Sequence, residues 1–94
     1  MDFHLITRNE RIALECICNE LTMGDRDWSR DDSIFELHGG WVRGCIQIGL
    51  HKQTISSAVS SLSQKRIIQS DKTHAYLTGT GRTWLQEHHN SLNI

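Results

Sequence analysis

The chain has 94 residues, with 10 Lys or Arg against 11 Asp or Glu, six His, three Cys and no proline. That length holds one domain with a core of its own and no need of metal or disulfide staples. A formal net charge of −1 excludes a polycation, the short apolar runs exclude a bilayer span, and the N-terminus MDFHLITRNE has neither the basic flank nor the apolar core of a secretory signal.

An odd cysteine count, with Cys16 and Cys18 only one residue apart, points to reduced thiols and a cytoplasmic protein. The charge is unevenly divided. Residues 1–50 hold five Arg against nine acids, giving −4, whereas residues 51–94 hold Lys52, Lys65, Arg66, Lys72 and Arg82 against Asp71 and Glu87, giving +3. A basic half in an otherwise neutral chain fits a surface that meets phosphates, or simply a solvated exterior.

Thr7 and Glu10 make a capping box, in which each side chain accepts a hydrogen bond from the other residue's backbone N–H. Leu14, Ile17, Cys18 and Leu21 then repeat at helical spacing, predicting a helix over 8–22 that Gly24 stops. The run 24–33, GDRDWSRDDS, is charge-dense and aperiodic and reads as a surface loop. Asp25, Asp27, Ser29, Asp31, Ser33 and Glu36 have the offsets of calcium-loop ligands. However, Arg30 stands where the bend needs glycine and Asp32 where an aliphatic residue belongs, so the acidic loop is read without metal. Trp28 within it either anchors a protein partner or folds back over the first helix.

Ile34–Leu37 alternates as a short strand, which His38, Gly39 and Gly40 break. Trp41–Leu50 predicts a second helix with Trp41, Val42, Cys45, Ile46 and Ile48 or Leu50 on one side. A third helix follows in KQTISSAVSSLSQKRII, residues 52–68, where Ile55, Ala58, Val59 and Leu62 keep the apolar stripe. Its other face carries Gln53, Ser57, Ser60 and Gln64, with Ser56 and Ser61 beside them. Serine is a mediocre helix former, so five of them in this segment argue for a contact surface over a merely wetted face. Two short strands come next, Ile67–Ser70 and Ala75–Thr78, with Asp71–His74 as the turn. A last helix opens at Thr78 or Gly79, carries Trp84 and Leu85 and fades near His88 to Asn90.

The predicted order is helix, strand, helix, helix, strand, strand, helix: a mainly α, α+β domain with a small β-hairpin, spanning 1–94 without a linker. Two helices joined by a tight turn at Gly49 to Gln53 and followed by a hairpin form the winged helix-turn-helix arrangement, with the serine helix in the recognition position. The run LHKQTISSAVSSLSQKRII followed by YLTGTGRTWL also resembles the DNA-binding core of MarR-type transcriptional regulators. Thr54, Ile55, Ser56, Val59 and Leu62 match that family's recognition helix, Ile67 and Ile68 its strand start, and Leu77, Thr78, Gly81 and Arg82 its last element. The sequence departs from the pattern in placing Arg66 at the usual glycine, in its short hairpin, and in lacking the family's long terminal dimerisation helices.

Arrangement and resemblance together imply sequence-specific binding of double-stranded DNA by a small transcriptional regulator. The recognition helix, about 53–65, would enter the major groove and the wing, about 67–78, would lie on the backbone. Gln53, Thr54, Ser56, Ser57, Ser60 and Gln64 are expected to face bases, the glutamine amides being the better readers of adenine. Lys52, Lys65, Arg66 and Lys72 are expected on phosphates. So few cations per protomer favour a homodimer, expected through the first and last helices. The alternative is a protein-interaction module that docks through Trp28, the acidic loop or the serine face. No catalytic residue, cofactor or metal site is expected: no Ser–His–Asp pattern or phosphate cradle occurs, and neither Cys16 with Cys18 nor His88 with His89 has zinc-ligand spacing on a helix.

Overall fold

Helix α1 (Arg8–Met23) begins where the capping box sets it: Thr7 N–H donates to Glu10 Oε1 and Glu10 N–H to Thr7 Oγ1, each at 3.2 Å. The computed structural model describes residues 6–23, 28, 34–88 and 90. The acidic loop, with its calcium-like spacing, lies outside these residues except for Trp28, which is half-buried against the core. That packing agrees with the covering alternative for Trp28.

Strand β1 (Ile34–Glu36) stops one residue before the predicted end, although the Leu37 N–H still donates to the Thr73 carbonyl at 2.9 Å. Helix α2 (Gly40–Ile48) starts one residue early and stops two residues short of Leu50. Its predicted apolar side is only partly correct: Trp41 and Cys45 are buried, whereas Ile46 and Ile48 are exposed. The helix buries a single narrow stripe against α1, and those isoleucines fall off it.

Glu20 of α1 fixes the start of α2. Its Oε1 accepts the Trp41 N–H at 3.0 Å, placing a carboxylate on the free N–H groups at the positive end of the helix. A Cβ at Gly39 or Gly40 would stand 3.0 Å from that carboxylate, so the Gly-Gly pair makes room for it. Trp41 is further held by Nε1–H donation to the Glu36 carbonyl at 2.8 Å and by an edge-on contact with Phe35.

Helix α3 (Lys52–Gln64), strands β2 (Ile68–Ser70) and β3 (His74–Leu77) and helix α4 (Gly79–His88) complete the chain order. The hairpin turn is therefore Asp71–Thr73, His74 already belonging to β3. The three strands form one antiparallel sheet in the order β1-β3-β2, with Phe35 opposite Ala75 and Ile68 opposite Leu77 on the buried face. Leu14, Ile17, Cys18, Leu21, Ile55, Leu62, Leu77 and Leu85 meet in one core between helices and sheet. Among the described residues this is a mainly helical α+β fold, and no helix is long and apolar enough to cross a membrane.

Candidate functional site

The junction of α2 and α3 is built by local chain geometry. Gly49 adopts φ 114°, and the Gly49 and Leu50 N–H groups bond back to the Ile46 and Cys45 carbonyls, each at 3.0 Å. This double bond pattern is the Schellman ending, which needs a left-handed residue at its corner. Helix α3 (Lys52–Gln64) follows within three residues, with His51 at its N-cap, whose carbonyl accepts the Ile55 N–H at 3.0 Å.

Along α3, Ile55, Ala58 and Leu62 point into the core. Lys52, Gln53, Ser56, Ser57, Ser60 and Gln64 are all exposed, and Thr54 lies half-buried at the margin of the inward face. The hydroxyl and amide groups thus share an outward surface that the fold does not use for packing. A helix of 13 residues is about 20 Å long.

Lys65 is placed differently from its sequence expectation. Its Nζ lies 2.8 and 2.7 Å from the two Glu10 carboxylate oxygens, and Glu10 is only 2% exposed. The ammonium neutralises a buried acid that already caps α1, so Lys65 ties the start of α1 to the end of α3 and adds little positive charge outside. Glu10 was readable in part: it precedes Leu14 by one helical turn, on the apolar stripe, where a carboxylate needs a cation. Its partner, 55 residues away, was not.

The corner after α3 repeats the ending of α2. Arg66 and Ile67 donate to the Ser63 and Leu62 carbonyls, each at 3.0 Å, but the left-handed residue is Arg66, with φ 62°. Thr78 braces this corner: its hydroxyl bonds to the Arg66 carbonyl and, at 3.2 Å, to the Ile67 carbonyl, and its N–H reaches Ile67 O at 3.1 Å. The same hydroxyl accepts the Gly81 N–H at 2.9 Å, capping α4. Gly81 packs so closely that an added Cβ would lie 2.0 Å from the Ile67 oxygen. The Leu-Thr-x-x-Gly-Arg run therefore has a structural reason: threonine clips two carbonyls and caps a helix, and glycine admits the close approach.

Lys72 is exposed in the β2–β3 turn, beside Asp71. The Asp71 carboxylate accepts the His74 and Thr73 N–H groups, each at 2.9 Å, which hold its pKa below the ordinary value. The structure thus brings Lys52, Gln53, Ser56, Ser57, Ser60, Gln64 and Arg66 onto α3 and its end, keeps Lys72 on the hairpin turn, and withdraws Lys65.

No family model matches the sequence, and comparisons with curated proteins and with solved structures return no match.

Beside the outward face runs an open groove of about 560 Å³ between α3, the start of α2 and the end of β2. Trp41, Ile55 and Val59 line its apolar part and Lys52, Ser56 and Ser60 its polar part. The cysteines take no part in the site. Burial pushes Cys18 and Cys45 up to about 12, and it also raises Cys16, whose contact with Cys45 pulls the other way. Among the described residues no group of His, Cys, Asp and Glu could hold a metal ion.

Proposed function

We propose that the chain is a winged helix-turn-helix protein that binds double-stranded DNA as a small transcriptional regulator, with α3 in the major groove and the β2–β3 turn on the backbone. The observation that carries this reading is the outward face of α3, where Gln53, Ser56, Ser57, Ser60 and Gln64 are exposed between Lys52 and Arg66. The sheet order β1-β3-β2 behind a tightly turned helix pair supports the winged-helix assignment. Small hydroxyls let the helix backbone approach base edges, and each glutamine amide can bond adenine N6 and N7 together. Lys52, Arg66 and Lys72 supply the phosphate contacts that fix register.

Three cations per protomer give weak, salt-sensitive binding, with log affinity falling against log salt at a slope of about −2.7. A homodimer through α1 and α4 doubles that slope and raises affinity; sedimentation showing only monomer at high micromolar concentration removes this part. Selection from a random duplex pool, followed by anisotropy titrations at several salt concentrations, tests the whole reading. Enrichment of a common site supports it. No duplex binding at low salt overturns it and favours a protein-docking module, a reading that draws on the exposed Ile46 and Ile48 of α2.

A further inference from the structure

Among the described residues the same corner occurs twice, and only one copy is built from the residue that suits it. At the end of α2 the left-handed position is Gly49; at the end of α3 it is Arg66. The hydrogen-bond pattern is the same at both, so the backbone requirement is the same. A side chain with a Cβ is disfavoured in the left-handed region because the Cβ crowds the following carbonyl. Arginine at 66 therefore holds a strained conformation that glycine relieves.

Arg66 is exposed, and among the described residues no hydrogen bond or ion pair engages its guanidinium. Its backbone is held firmly all the same, by the two bonds that close α3 and by Thr78 on its carbonyl. A rigid, strained backbone carrying an idle cation is an arrangement that a contact outside the fold explains.

Geometry indicates which contact. Helix α3 has 13 residues and is about 20 Å long, whereas the major groove is about 12 Å wide. Laid across the groove with its middle among the bases, such a helix has its ends over the two sugar-phosphate backbones. Lys52 stands at one end and Arg66 just beyond the other; Lys65, the nearer cation in sequence, is turned inward to Glu10. On the reading given above, we infer that Arg66 is a phosphate-binding residue, kept in a left-handed conformation at the expense of stability so that its guanidinium reaches the DNA strand beyond the end of α3.

Three variants separate charge from strain. R66A keeps the strain and removes the charge, R66K keeps both, and R66G removes both. Binding is read by anisotropy on several labelled duplexes across a salt series, and stability by thermal melting. Both R66A and R66G are expected to weaken binding equally on every duplex and to flatten the salt slope by about 0.9 per bound protomer. R66K should retain the wild-type slope. R66G alone should melt several degrees higher than wild type.

Wild-type binding that R66A leaves unchanged in affinity and slope overturns the inference while sparing the DNA reading. A loss confined to one sequence makes Arg66 a base reader and overturns the phosphate assignment. R66G melting no higher than R66A refutes the strain argument. A wild-type protein that binds no duplex removes the DNA reading, and this inference with it.

Discussion

Replacing Gly81 with alanine is the sharpest test of the packing between α4 and the α3–β2 corner. The new Cβ would stand 2.0 Å from the Ile67 oxygen, 2.8 Å from its carbonyl carbon and 3.0 Å from its Cα. Carbon–oxygen contacts do not tolerate such distances, so the first turn of α4 must retreat by roughly 1 Å. That retreat stretches the 2.9 Å bond from Gly81 N–H to Thr78 and loosens the hold of Thr78 on Ile67. Overpacking of this kind costs about 1–3 kcal/mol, and a weakened cap adds about 1 kcal/mol. The better helix propensity of alanine returns about 1 kcal/mol. The net loss is about 2 kcal/mol, which for a domain of this size lowers Tm by about 8–16 °C. Thermal denaturation followed by circular dichroism measures it, and Gly79→Ala is the internal control. A Cβ at Gly79 meets only the end of the flexible Arg82 side chain, at 3.8 Å, so that variant should melt within a few degrees of wild type. If both variants melt alike, or if Gly81→Ala matches wild type, the close approach is refuted.

Lys65→Met leaves the Glu10 carboxylate buried without its cation and should destabilise the protein by about 3 kcal/mol in denaturant unfolding. Adding Glu10→Gln should recover part of that loss, since no buried charge then remains; an unaltered midpoint in Lys65→Met refutes the pairing. The Asp71 carboxyl should titrate below its ordinary value by NMR. Its contribution to the hairpin turn is then present above that ordinary value and lost as pH falls through the lowered native one. Cys18 and Cys45, pushed up to about 12, should be alkylated by iodoacetamide at pH 8 far more slowly than free cysteine, as mass spectrometry of the intact protein would show.

The parts of this fold that were legible in the sequence are those governed by neighbours along the chain. The Thr7–Glu10 box, the stripes of α1 and α3 and the glycine corner at Gly49 all depend on spacing of a few residues, and all are present. Arg66 was visible as an arginine in a glycine position, and its φ follows from the ending that α3 adopts. What stayed hidden depends on which surfaces meet. The pairing of β1 with β3, the Glu20 cap on α2 and the inward turn of Lys65 join residues far apart in sequence, and no periodicity encodes them. Lys65 shows the limit most plainly: it follows the exposed Gln64 in sequence, and only the depth of Glu10 draws it in.

The bridging role of Thr78 has a kinetic consequence. One hydroxyl braces the end of α3 and caps α4, so it couples the two corners, residues 66–67 and 78–81. The Thr78 clip cannot close until β3 has brought the two corners together, which ties the tip of α3 to the opening free energy of the sheet. Amide exchange at Thr78, whose N–H donates to the Ile67 carbonyl across the junction, should therefore follow the loss of β3 and not fraying at either helix end.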